Sequence, residues 1–415
     1  MTSPESAPSG LRNPGNAFMA AAGLSMAGSA VGMLGATAAT NSGAHGGLAT
    51  GAFLSVMLLA SGLAVPYAPR VTHRLHVRRT FAAAKALSAV AYTVAGIALL
   101  LGAPPVVTLV LAAPAFGIAG GLAGNASPVL GRSYLGAEHT AHSAARMGVI
   151  GGVSWSVGAL AGGVLLSHVA YGWGVLLNGI VTGVLAVTVL RMPPAVEPHA
   201  QRAVEQPWRS AVATLRANRT VRLASAQGIV TLVFIAPLIA LTVPVADGLR
   251  NGSAVRLGSL LMATIATGEF LTPRVVRRET RRHSALSGSA RVAVVTGAAV
   301  IVLGLVSLAV SGPIELVAWA VIGCTIGAYR FASRSLGRGA AAEAGAPTHS
   351  SANLAAVALC GLAAPVGTML WAGIIDAGHT EVALLVGGVG GILGSLMVLA
   401  RSRSVPAEET HSPTV

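Results

Sequence analysis

Twelve apolar runs, each near the 20 residues that a helix needs to cross a bilayer, leave this chain few ways to fold. They fall at 16–40, 47–69, 81–101, 105–127, 146–168 and 171–190, then at 222–245, 252–273, 291–311, 314–333, 351–375 and 380–400. Only 10% of the 415 residues are Asp, Glu, Lys or Arg, and 53% are hydrophobic. An ordinary soluble domain carries roughly 25% charged residues, so there is too little charge here to coat a water-facing surface. Disorder is excluded by the same figures, because a disordered chain is polar. The expected fold class is all-α integral membrane, with twelve transmembrane helices in two groups of six.

A formal charge of +14 raises the question of nucleic acid. Aromatic residues make up only 4%, and the basic residues sit between apolar runs, so stacking platforms and groove readers are not expected. The bilayer is the expected partner instead. Cys324 and Cys360 both lie inside apolar runs, which speaks against a disulfide scaffold or a cysteine zinc site. Lys85 is the only lysine beside 26 arginines, a bias that fits a GC-rich bacterial genome. Residues 1–15 lack the pattern of a cleaved signal peptide, and the first run is long enough to stay as a span.

Charge between the runs tests the count independently. The segment after the second run reads PRVTHRLHVRR, the central stretch carries Arg191, Arg202, Arg209, Arg216, Arg219 and Arg222, and the segment after the eighth reads PRVVRRETRRH. With both termini inside, 24 of the 26 arginines fall on the cytoplasmic side, Arg250 and Arg256 excepted. The expected location is the bacterial cytoplasmic membrane. The expected division is a tail at 1–15, six spans over 16–190, a central loop at 191–221, six spans over 222–400 and a tail at 401–415.

The halves also repeat. Ala126-Ser127-x-x-Leu130-Gly131-Arg132 closes the fourth run and Ala332-Ser333-x-x-Leu336-Gly337-Arg338 the tenth, an offset of 206. Pro69-Arg70-Val71 and Pro273-Arg274-Val275 end the second and eighth at an offset of 204. Gly158-x-x-x-Gly162 matches Gly361-x-x-x-Pro365 at 203. An even number of spans separates the copies, so the repeat is parallel, with its pseudo-twofold axis along the membrane normal.

On these features the chain resembles the major facilitator superfamily over nearly its whole length. The fifth run adds Gly148, Gly158, Gly162 and Gly163, which partly match the glycine-rich pattern of the family's exporters; Gly163 stands where the pattern has proline, and Gly148 is one residue out of register. The basic segments, with Arg70 and Arg74 after the second run and Arg274 and Arg277 after the eighth, match the family's cytoplasmic gating loops. The usual acid of that motif is absent from the segment after the second run. The resemblance implies a central cavity lined by the first, fourth, seventh and tenth spans, whose polar residues here are Asn125, Gln227, Thr231, Thr325, Tyr329 and Arg330. Arg330 is expected to snorkel inward with Arg334, and Gln227 to bond either a substrate or a neighbouring helix. A monomer is the family default.

Glu269 and Asp376 are the candidates for proton coupling. Glu269 lies about one turn before Pro273-Arg274, where an acid is costly unless protonated, paired or hydrated. It reads either as a proton carrier or as half of an ion pair with Arg274, Arg277 or another basic residue. Asp376 closes the eleventh run and reads as a solvated helix end or a second coupling group; Asp247, Glu315 and Glu381 read as solvated. Pro114, Pro237, Pro244 and Pro365 are expected to kink or interrupt their spans.

No G-x-x-x-x-G-K-[ST] loop, H-E-x-x-H helix or paired-aspartate cluster is present, so no catalytic residue, cofactor or metal is expected. The expected function is secondary active transport by alternating access. Proton-coupled efflux of a hydrophobic or amphiphilic small molecule, such as a drug, antibiotic or natural product, is favoured by the glycine-rich fifth run and by a cavity almost without fixed charge. Import of a small neutral metabolite and a non-transporting scaffold are the alternatives.

Overall fold

The computed structural model describes residues 14–43, 45–135, 140–195, 207–249, 254–309, 313–344 and 349–402. Every regular element among them is helical. In the first half, span 1 is Pro14–Asn41, span 2 Gly46–Leu75, span 3 Val77–Leu100, span 4 Pro105–Leu135, span 5 Thr140–Leu166 and span 6 Gly172–Arg191. In the second, span 7 covers 219–249, span 8 is Ala254–Thr280, span 9 Ala285–Ala309, span 10 Pro313–Ala344, span 11 His349–Asp376 and span 12 Thr380–Ser402. A short helix, Pro207–Ala217, lies in the central segment.

Eleven spans are continuous enough to cross a membrane by length and composition. Span 7 is broken into Arg219–Phe234, Ala236–Ala240 and Thr242–Leu249. It begins at Asn218, whose Oδ1 accepts the Val221 N–H at 3.1 Å and so satisfies one orphan donor of the first turn. Its breaks follow from Pro237 and Pro244, neither of which has an N–H for the carbonyl four residues back. The backbone of Val233, left without the Pro237 donor, packs against Gly367 of span 11. Pro114 and Pro365, expected to do the same, lie inside unbroken helices.

The arginine-rich segments after spans 2 and 8 are helix rather than loop. Pro69 and Pro273 remove the i→i−4 donors to the carbonyls of Val65 and Glu269. Those carbonyls accept instead from Ala68 and Thr272, three residues ahead, which tightens Val65–Tyr67 and Glu269–Leu271 into 3-10 turns. Helix then resumes over Ala68–Leu75 and Thr272–Thr280. The two kinks stand 204 residues apart, the offset of the Pro-Arg-Val repeat. Span 2 reaches span 3 through His76 alone, in the left-handed region at φ 62°.

Packing repeats with the sequence. Span 1 packs on spans 5 and 6, span 3 on 4 and 6, and span 2 on 4; span 7 packs on 11 and 12, span 9 on 10 and 12, and span 8 on 10. Adding six to each number in the first set gives the second, which is the parallel twofold repeat. The halves meet along two seams, span 2 against span 11 and span 5 against span 8, which the same twofold exchanges. Small residues bring these helices together. A Cβ on Gly361 would lie 2.7 Å from the Gly62 Cα, and Gly163 is covered by Ser259. Leu101, Leu111, Val164 and Val317 are each more than 60% exposed, an outer surface suited to hydrocarbon and not to water.

Candidate functional site

The two ends of the molecule differ. At the end away from the arginines, polar side chains tie one half to the other. Asn41 Nδ2 donates to Asp247 Oδ2 at 2.9 Å, joining the ends of spans 1 and 7 at positions 206 residues apart and hence close to the pseudo-twofold axis. His45 Nδ1 lies 3.0 Å from Asp376 Oδ2, and the Gly47 N–H donates to Asp376 Oδ1 at 3.2 Å. Arg256 donates to Ser167 Oγ at 3.3 Å, joining spans 8 and 5. Asp376 therefore differs from the solvated helix end expected of it. Its side chain is only 10% exposed and holds spans 2 and 11 together. Glu315 is also buried, at 2% exposure, whereas Asp247 is exposed as expected.

In the arginine-rich half lies a cavity of about 190 Å³ between spans 7, 10 and 11 of the second half and the kinked part of span 2. Leu58, Val65, Leu232 and Ala364 supply apolar wall, while Gln227, Arg330 and Arg334 supply the polar wall. Thr231 also borders the cavity, with its hydroxyl bonded to the Gln227 carbonyl at 3.0 Å. Gln227 is 1% exposed; its Nε2 donates to Ser395 Oγ at 3.0 Å, and its Oε1 has no partner. Whichever way the amide is turned, one of its two ends is left over. The polar residue of span 7 thus bonds a neighbouring helix and also faces the cavity.

Not every expected lining residue is there. Asn125 donates to the Gly121 carbonyl at 2.9 Å within span 4, and Thr325 to the Val321 carbonyl at 2.9 Å within span 10; neither borders the cavity. Tyr329 packs instead against the cluster of Val292, Ala332 and Leu336. Span 1 contributes no residue to the cavity, and spans 2 and 11 do. Arg330 lies over the Phe331 ring at 5.3 Å. Arg334 borders the cavity and is exposed. Two guanidiniums one helical turn apart, Arg330 and Arg334, face this cavity.

Glu269 opens the 3-10 turn of span 8, half-buried where that turn packs between spans 5 and 10. A Cβ on Gly152 of span 5 would stand 3.5 Å from the Glu269 Cβ. Its turn packs on span 10, the helix that carries Arg330 and Arg334. Among the described residues it has no ion pair within 4.0 Å. Arg74, Arg274 and Arg277 are exposed on the resumed helices, and Arg70 is half-buried. Among the span 5 glycines, Gly158 and Gly162 receive span 1 at Ala27 and Val31, and Gly163 receives span 8. Gly148 departs from its expected packing role, since a Cβ there would meet nothing within 4 Å. The described residues hold no group of three potential metal ligands.

A sequence profile of the Major Facilitator Superfamily matches residues 15–348. The chain belongs to this superfamily. Solved structures agree on the fold. A D-xylose–proton symporter superposes with a TM-score of 0.73 at 14% identity, over 97% of this chain and 99% of that one. A point mutant of the nucleoside transporter NupG gives 0.70 at 12% identity, covering 91% and 98%. A bacterial homolog of the human lysosomal transporter Spinster gives 0.69 at 15%, covering 97% and 98%. No curated protein matches the sequence closely enough to count as a relative.

Proposed function

We propose that the chain is a proton-coupled secondary transporter of a small solute, working by alternating access in the bacterial cytoplasmic membrane with both termini inside. The arginine bias supports this sidedness, since Lys and Arg collect in cytoplasmic segments. One observation carries the reading: polar ties join the halves at the far end, and the cavity that both halves line sits at the arginine-rich end. A protein that opens to one side at a time needs that asymmetry, and the conformation is then the one facing the cytoplasm.

Glu269 is the coupling group in this reading. An intramembrane acid without a close ion pair can exchange its proton as access alternates, and its turn packs on span 10, which supplies Arg330 and Arg334 to the cavity wall. Efflux of a hydrophobic or amphiphilic small molecule keeps the support of the glycine-rich span 5, while Arg330 and Arg334 favour the amphiphilic case over an uncharged one. The test uses purified protein in liposomes with an imposed pH gradient and a pH-sensitive dye inside. Solute-dependent proton flux that falls at least tenfold in Glu269→Gln is the expected result, and the sign of the flux separates symport from antiport. Full flux in the variant would remove Glu269 from the mechanism, and no flux with any solute would remove proton coupling.

A further inference from the structure

Arg330 and Arg334 pose a charge problem that the protein alone does not solve. They are i and i+4 on span 10, hence neighbours on one helix face, and like charges so placed repel. Neither makes an ion pair within 4.0 Å with a described carboxylate. With no described carboxylate paired to either, Arg330 and the exposed Arg334 leave a positive wall on the cavity at the arginine-rich end of the molecule. A guanidinium there is costly unless an anion or water completes it, and its planar fork suits an oxyanion.

The rest of the lining restricts what that anion is. Leu58, Val65, Leu232 and Ala364 give it apolar contact area, and Ser61 and Thr231 add hydroxyls to the same wall. Ser289 and Ser333 also border the cavity, but each is already bonded to the backbone carbonyl of the other, at 2.8 and 3.0 Å. The one buried polar group of the lining left with an unused end is the Gln227 amide, 1% exposed. At about 190 Å³ the space is slightly larger than the roughly 150 Å³ cavity that holds benzene in an engineered protein core.

We infer that the cavity binds a small amphiphilic organic anion, its oxyanion head between Arg330 and Arg334 and its apolar body, about one ring in size, against Leu58, Val65 and Leu232. This rests on the transport reading only in taking the cavity as the solute site. The Glu269 carboxylate stands on the turn that packs against span 10, where its negative charge repels an anionic head, so neutralising it strengthens anion binding.

Binding is measured apart from transport, with the whole protein in nanodiscs of zwitterionic lipid and three probes of nearly one shape: benzoate, benzamide and benzylamine. Benzoate is expected to bind at least tenfold more tightly than the other two. Arg330→Gln and Arg334→Gln each lower its affinity about tenfold or more, the Lys variants keep part of it, and Glu269→Gln raises it severalfold. Helical circular dichroism and a monodisperse elution profile certify that each variant is folded. Equal binding of the three probes, no binding of benzoate, or full benzoate binding in the folded double Gln variant would each overturn the anion site. Those results leave the proton-flux test untouched, so the two readings fail separately. An arm with added phosphatidylglycerol identifies the source of the oxyanion: if it competes with benzoate the site also accepts a lipid headgroup, and if it does not the site is reserved for soluble anions.

Discussion

Glu269 owns the carbonyl that Pro273 deprives of its ordinary helical donor, and that explains why an acid stands at a turn and not on a straight helix. The 3-10 turn packs between spans 5 and 10, and span 10 carries Arg330 and Arg334. Gln227 presents a different situation. Its Nε2 bond to Ser395 helps hold spans 7 and 12 together, while its other end is buried without a partner. A typical hydrogen bond contributes about 1 kcal/mol, and an unsatisfied buried group costs about 1–3 kcal/mol. Gln227→Leu removes the unpartnered amide end but strands the buried Ser395 hydroxyl, so it should cost about 1–3 kcal/mol of stability. The same change should reduce transport about tenfold, since it removes the amide from the cavity wall. Paired thermal melts and liposome flux check this, and a large loss of stability without loss of flux would make Gln227 a packing residue alone.

At the scale of the element, the seam between spans 2 and 11 depends on glycines. Gly361 and Gly62 face each other with no room for a side chain, since a Cβ on the former lies 2.7 Å from the latter's Cα. Gly361→Val should force the helices apart and cost about 1–3 kcal/mol, the usual range for overpacking. A lower melting temperature with unchanged helical content checks it; an unchanged melt would mean that the seam opens freely. The broken seventh span is the counterpart. Its three pieces follow from two prolines, and Gly367 gives the freed Val233 backbone a close neighbour. A span already interrupted is one that two packed halves can bend without breaking further helical bonds.

For the whole molecule, a few polar contacts join the halves at the end away from the arginines, and the proposed alternating access requires their release. Asp376 supplies two of them, to His45 and to the Gly47 N–H. Hydrogen bonds to a charged group contribute about 1.5–3 kcal/mol, enough to shift a two-state balance tenfold or more. In a cysteine-free background carrying Thr50→Cys, a position with no exposed surface beneath the tie, Asp376→Ala should speed labelling from outside at least fivefold. Unchanged labelling would show that Asp376 does not hold that end shut. Sidedness has its own check in intact cells. A membrane-impermeant maleimide should label Ser42→Cys at once and His73→Cys only after permeabilisation, because these positions lie at opposite ends of the molecule. The reverse pattern would invert the topology.

The twelve spans, the parallel repeat and the bias of charge to one end were readable from the chain because each depends on residues near one another along it. Run length sets a span, proline at i removes the donor to i−4, and basic residues mark an end of a helix whatever it packs against. The breaks in span 7 belong here too, since Pro237 and Pro244 are visible in the sequence. The site was legible only in part, because polar residues on one helix point in directions that the sequence does not relate to a neighbour. Thr325, Tyr329 and Arg330 lie within six positions of span 10, yet successive residues turn by about 100°, and only Arg330 faces the cavity. Arg334 looked like a residue reaching for the membrane surface; the packing of spans 2, 7 and 11 around it makes it a cavity wall. Asp376 looked solvated because its partner His45 is 331 residues away. Local pattern settles which segments cross the bilayer, whereas burial and partnership are properties of surfaces brought together from distant parts of the chain, so they appear only once the two halves have met.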